Sequence, residues 1–183
     1  MKGKTLLLIG LIAAAISTRF IPHYPNFTAM GAAALFGGVV FKDHFKAFLI
    51  PLLALFLSDL VLNNVVYAAY NEGFTFFTEG FYWIYGAFIL TVIMGKYATN
   101  GFKVLPLLAT GVASALVFYL LTNFGSWLGN PLYPQNIGGL MASYAAGLPF
   151  LVSQAAGTLV YGAVMFGVAY AITSSKSAAT VNA

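Results

Sequence analysis

Long apolar runs, each closed by charges, prolines, asparagines or glycines, divide the chain into six stretches: 4–20, 27–41, 46–69, 81–98, 104–124 and 147–173. Such runs read as membrane-spanning helices, since roughly 20 apolar residues cross a ~30 Å hydrocarbon core. The second run, 27–41, is short; at 1.5 Å per residue it reaches only about 22 Å. Either neighbouring helices shield it or it begins below the membrane surface. It carries small residues four apart, Ala33 with Gly37 and Ala34 with Gly38, as close helix packing in lipid requires. The third run holds Pro51 and, near its middle, Asp59, so it is expected to kink and to turn one face away from lipid. Met1-Lys2-Gly3-Lys4 ahead of an apolar stretch from Thr5 to Ile16 resembles a signal peptide; the reading favoured is an uncleaved first span. The expectation is an all-α integral membrane protein, a six-helix bundle forming a single six-span domain over 1–173, with a tail at 174–183.

Composition strengthens this picture. The chain of 183 residues is 61% hydrophobic and only 7% charged, against roughly 25% charged residues in soluble domains. The few charges are also sorted. Lys2 and Lys4 precede the first run, Lys42 and Lys46 lie between the second and third, Lys96 and Lys103 between the fourth and fifth, and Lys176 follows the sixth. All seven fall on one side, while Arg19 is alone on the other with Glu72 and Glu79. The positive-inside rule then places both termini and the 174–183 tail in the cytoplasm. Scattered in this way, the eight basic residues form no nucleic-acid patch.

The three outer connections differ in kind from the inner ones. Arg19–Asn26, Tyr70–Gly80 and Phe124–Gly147 mix aromatics with Pro, Asn or Gly, whereas the inner Lys42–Lys46 is short and charged. Loops held by a rigid scaffold are where binding residues concentrate, although Trp and Tyr also collect at headgroups without any function. The longest connection, 124–147, is expected to act as a lid or pocket wall, with Ile137–Gly147 as a short interfacial or re-entrant helix.

A carboxylate inside a span costs about 2.5–3.5 kcal/mol on insertion scales, so Asp59 should face the interior, protonated or paired. Arg19, at the outer end of the first span, is the cation that would pair with it. Such a pair either fastens the two spans together or serves a ligand. Asp59, Asn63 and Tyr67 share one helical face at i, i+4 and i+8, a polar stripe better explained by a cavity than by lipid. His23, between Pro22 and Pro25, could touch a substrate or a metal, but an isolated histidine at an interface is more often simply hydrogen-bonded. Asn26 joins the candidate contacts from the first outer loop; Asn123, Trp127, Tyr133, Gln135 and Asn136 join them from the third.

Several chemistries lack their residues. The chain has no cysteine and two histidines, His23 and His44, on opposite sides, so no metal or cofactor site is expected. Ser58 has no nucleophile-elbow context, and no phosphate-binding or dinucleotide loop is present, so no enzyme is expected and any uphill movement must draw its energy from elsewhere.

The strings RFIPHYPNFTAMGAAALFGG (19–38), PLLALFLSDL (51–60), TNFGSWL (122–128) and LYPQNIGGLMASYAAGLPF (132–150) resemble a family of uncharacterised bacterial membrane transport proteins. That family is itself similar to the substrate-binding S-components of energy-coupling factor (ECF) transporters. The resemblance implies a six-helix protein of the bacterial cytoplasmic (inner) membrane. It would bind a vitamin-like molecule near the outer face through the loops after helices 1, 3 and 5, and join cytoplasmic ATPases through a membrane coupling subunit. Where the related pattern often has Cys, a basic residue and Asp, this chain has Ser143, Val152 and Thr158, so cobalt ligation by cysteine is not carried over. Small residues at Gly10 and Ala14, and at Ala33 and Gly37, would suit docking or internal packing alike. The sequence is thus read as a substrate-binding subunit for small-molecule uptake. The alternative is a structural or accessory subunit of a larger membrane complex, with the outer loops as protein interfaces.

Overall fold

A computed structural model describes residues 2–99 and 101–181, with side chains from residue 5 to residue 172. Among these residues the regular structure is entirely helical: α1 (Lys2–Ser17), α2 (Met30–Val40), α3 (His44–Val61), α4 (Phe81–Ala98), α5 (Val104–Gly129) and α6 (Ile137–Val181). Four helical stretches are long and apolar enough to cross a membrane: His44–Val66, Phe81–Ala98, Val104–Gly129 and Ile137–Ile172. Thr5–Phe20 and Met30–Val40 are shorter apolar helices.

The short α2 is the centre of the molecule. Every residue from Met30 to Gly38 is buried, and α2 packs on α1, α3, α4, α5 and α6. Its length follows from this placement, because a helix enclosed by protein need not span the hydrocarbon. Its closest neighbour is α4, where each helix gives up side chains to admit the other's backbone. A Cβ on Gly95 would lie 2.6 Å from the Leu35 carbonyl oxygen, and one on Gly38 would collide with the Val92 carbonyl oxygen. Gly37 similarly leaves room for Pro51 of α3, whose Cγ would lie 2.9 Å from an added Cβ. The small residues of the second run are therefore used for internal packing. Gly10 and Ala14 on α1 are exposed, and nothing lies within 4 Å of a Cβ built on Gly10.

Local signals set the helix starts. Asp43 caps α3, its Oδ1 accepting from the Lys46 N–H at 2.8 Å, and Asn136 Oδ1 accepts from the Gly139 N–H at 2.9 Å at the start of α6, satisfying donors that have no partner within the helix. The second cap changes the expected layout. The run at 137–147 is neither a separate helix nor part of a loop, but the first turns of α6, which continues through Pro149. With α5 extending to Gly129, the connection expected over 124–147 shrinks to residues 130–136. The stretch 137–172 is about 54 Å long at 1.5 Å per residue, more than a ~30 Å core requires, so it tilts or projects beyond the hydrocarbon.

The helices alternate in direction. At one end Lys96 Nζ of α4 donates to the carbonyls of Phe41 and Lys42, each at 3.1 Å, and the Phe102 ring meets Phe166 at 6.0 Å and Tyr170 at 6.3 Å. At the other end the tips of α1, α3 and α4 meet. Nearby, α5 and α6 are joined by Ser143, which donates to the Asn123 carbonyl at 2.8 Å, and by the Tyr119 hydroxyl, which donates to the Tyr144 carbonyl at 2.7 Å.

Candidate functional site

The last turn of α3 does not finish as an α-helix. Residues Leu62–Val66 form a π-helical turn, with the Tyr67 N–H reaching back to the Leu62 carbonyl at 2.7 Å. Widened turns of this kind recur at functional sites because they re-aim side chains. Two asparagines hold this one in place. Asn64 bonds the Thr75 backbone at both ends, Nδ2 to the carbonyl at 2.9 Å and Oδ1 from the N–H at 2.7 Å. Asn71 Nδ2 donates to the Asn63 carbonyl at 2.8 Å and the Tyr67 carbonyl at 3.3 Å. The turn's freed carbonyls are thereby satisfied from the following loop.

Below this turn lies the charged pair. Arg19 Nη1 is 2.7 Å from Asp59 Oδ1, and the two side chains are 17% and 19% exposed. The same Nη1 donates to Ser58 Oγ, whose own proton goes to the Leu55 carbonyl at 2.8 Å. From α4 the Tyr85 hydroxyl donates to Asp59 Oδ2 at 2.8 Å. Both carboxylate oxygens are therefore engaged, one by a cation and one by a phenol.

Arg19, Asp59 and Tyr85 line a cavity of about 140 Å³ together with Asn63 and Tyr67. Phe77, Phe81 and Tyr85 form its aromatic wall. The rings of Phe77 and Phe81 stack at 4.3 Å and 26°, with Tyr85 edge-on to both at 5.9 Å. Asn63 is only 8% exposed, and among the described residues no hydrogen bond is made by its side-chain amide. The cavity thus offers one neutralised ion pair, one amide with no described partner and three aromatic rings.

Arg19, Asp59, Asn63 and Tyr67 are brought together here as the sequence pattern proposes. The other candidates are not. His23 is exposed, with Nδ1 2.9 Å from the Tyr24 carbonyl oxygen. Asn26 adopts a left-handed conformation with φ 61°, forming a turn in which the Thr28 N–H donates to its carbonyl at 2.9 Å. Four of the five candidates around the third connection spend side-chain polar atoms on nearby backbone. Asn123 Nδ2 donates to the Tyr119 carbonyl at 2.8 Å, Trp127 Nε1 to the Pro134 carbonyl at 3.0 Å, and Gln135 Nε2 to the Trp127 carbonyl at 2.6 Å and the Tyr133 carbonyl at 3.3 Å. Asn136 is the α6 cap. These contacts close and order the loop, and none of the five lines the cavity.

Sequence reasoning missed Ser58, Tyr85 and the aromatic wall. Phe77, Phe81 and Tyr85 recur four residues apart, but Phe77 precedes α4, so helical periodicity does not mark the wall, and nothing in that spacing singles out Asp59 as the partner of Tyr85.

Two other cavities have different characters. One of about 410 Å³ between the start of α4 and the end of α5 includes Glu79, Trp83, Thr122 and Ser126. Another, of about 500 Å³ between α5 and α6 toward the Phe102 end, is almost wholly apolar. Thr158 in its wall is 1% exposed, with its hydroxyl packed against Gly31. Among the described residues no three His, Cys, Asp or Glu side chains come together in a way that could hold a metal ion.

The chain belongs to DUF6580, a family of unknown function whose model matches residues 1–180. No curated protein and no solved structure matches it.

Proposed function

For this member of the family we propose a substrate-binding membrane subunit that captures a small, vitamin-like molecule for uptake, with its site in the cavity around Arg19 and Asp59. The observation that carries this reading is the convergence, in one partly enclosed space, of a paired charge, the Asn63 amide, which has no hydrogen bond among the described residues, and an aromatic wall. Ligand pockets are mostly apolar, with a few placed polar groups that fix orientation. A pair that only fastened two helices would need neither the cavity nor the free amide.

In this proposal the protein crosses the bacterial cytoplasmic membrane six times, as ECF S-components do, with both termini inside and the cavity near the outer face. The segregation of lysines supports that orientation. Lys42 and Lys96 meet at the end opposite the ion pair. The exposed Gly10 and Ala14 face of α1 would meet a membrane coupling subunit with its cytoplasmic ATPases. Because the chain has no cysteine, the orientation can be tested directly. A membrane-impermeant maleimide added to intact cells should label Glu72→Cys and leave Lys103→Cys unlabelled until the cells are opened. The reverse pattern would overturn the proposed topology.

Ligand capture is tested by native mass spectrometry of the detergent-purified chain. A stoichiometric small molecule is expected on the wild-type protein. Tight copurification with large partners and no small ligand would sink the uptake reading and favour a structural or accessory subunit of a larger complex.

A further inference from the structure

Resting on the reading of this cavity as a ligand site, we infer its substrate class: a small, neutral, flat ring that carries an amide or lactam edge. Charge comes first. Arg19 and Asp59 neutralise each other at 2.7 Å, and the second Asp59 oxygen is held by Tyr85 at 2.8 Å. An anionic ligand would have to take Arg19 from Asp59 while lying beside that carboxylate. A cationic ligand would have to displace Arg19 or Tyr85. Either would leave a charge poorly compensated in a partly enclosed space, which is unfavourable.

Hydrogen bonding narrows the class further. Asn63 is more than nine-tenths buried, and its amide presents a carbonyl acceptor beside an N–H donor. The matching surface is another amide edge, which presents the same two groups in reverse. An accessible amide that exchanges water for a ligand favours one that supplies the complement and disfavours analogues that lack it. Shape supplies the third constraint. The Phe77, Phe81 and Tyr85 rings that line the cavity favour an aromatic partner, edge-on or offset. A volume of about 140 Å³ is below the ~300–1,000 Å³ of pockets for drug-sized ligands. One ring with one substituent fits; a corrin, flavin or pterin conjugate does not.

Three ring-matched probes separate these requirements near neutral pH: nicotinamide is neutral with an amide edge, nicotinate is anionic and 3-(aminomethyl)pyridine is cationic. Isothermal titration of the full chain in nanodiscs should show nicotinamide binding at least about tenfold more tightly than either charged probe, a difference of about 1.4 kcal/mol. Asn63→Leu should weaken nicotinamide binding severalfold without improving the binding of either charged probe, whose exclusion rests on Arg19 and Asp59. Equal or tighter binding of a charged probe would overturn the inference, as would absence of nicotinamide binding at millimolar concentration. Where Asn63→Leu does not fold, the wild-type ranking of the three probes decides. A different small molecule found on the purified protein, together with failure of nicotinamide, would overturn the substrate class while leaving the capture reading intact.

Discussion

Gly95→Ala is expected to lower the thermal midpoint of the purified protein by roughly 5–10 °C, and Gly95→Leu to abolish folded yield. The added Cβ would lie 2.6 Å from the Leu35 carbonyl oxygen and 3.2 Å from the Leu35 Cδ1 atom. A flexible side chain could move aside, but the carbonyl belongs to α2, which is buried from Met30 to Gly38 and packed on five other helices. The strain must therefore push α4 away from the core or shift α2 as a whole. Overpacking costs about 1–3 kcal/mol where neighbours can adjust, and in a domain of this size each kcal/mol moves the midpoint by roughly 2–4 °C. Gly10→Leu is the matched control. It adds a large side chain to an exposed helix face with nothing within 4 Å, so its folded yield and midpoint should stay near wild type. Size-exclusion profiles and thermal shifts in one detergent provide the comparison. Equal behaviour of Gly10→Leu and Gly95→Leu would show that the α2–α4 contact is not the centre of the fold.

The same contact explains which parts of the architecture could be read from the sequence. The small residues at 31–38 announced close packing, and the run at 81–98, set off by Gly80 in a left-handed turn with φ 73°, is a helix over those same residues. Elements marked by strong punctuation were legible. At 137–147 the punctuation misleads, because Gly147-Leu148-Pro149 looks like a boundary while Asn136 quietly provides the cap that starts α6 ten residues earlier. A proline inside a long helix removes one backbone bond, a loss that neighbouring packing can absorb.

The site was legible to the extent that charge is scarce. Among so few ionisable groups, Asp59 and Arg19 were each other's evident partner, and their ion pair is present. The π turn was not legible, since hydrophobic periodicity carries no mark for an extra residue in one turn. Asn63 and Tyr67 nevertheless both reach the cavity. The third-loop candidates illustrate the opposite difficulty. A polar side chain in an outer loop looks the same in sequence whether it faces a ligand or, like Gln135 and Trp127, ties its own backbone.

The decisive variants are those that separate the Arg19–Asp59 pair as a fastener from the pair as part of a binding site. Asp59→Ala leaves the Arg19 guanidinium with Ser58 as its described hydrogen-bond partner and strips Tyr85 of its acceptor. Removing one partner of a buried pair costs about 3–5 kcal/mol, and the 17% and 19% exposure of these side chains places the loss at the lower end. Folded yield should therefore fall sharply. The double variant Arg19→Met/Asp59→Leu removes both charges and fills the space with apolar groups of similar size, an exchange that is often neutral or stabilising. Its yield and thermal midpoint should recover most of the loss, stopping short of wild type because Tyr85 still lacks its acceptor. Asp59→Asn keeps the shape and an acceptor for Tyr85, so it should lose ligand more than it loses yield. If the pair only fastens α1 to α3, the stable double variant will still carry the copurifying small molecule in native mass spectra. If the pair orients a ligand, the double variant will fold and emerge empty. Recovery of both stability and ligand would remove Arg19 and Asp59 from the binding site and leave them a structural role alone.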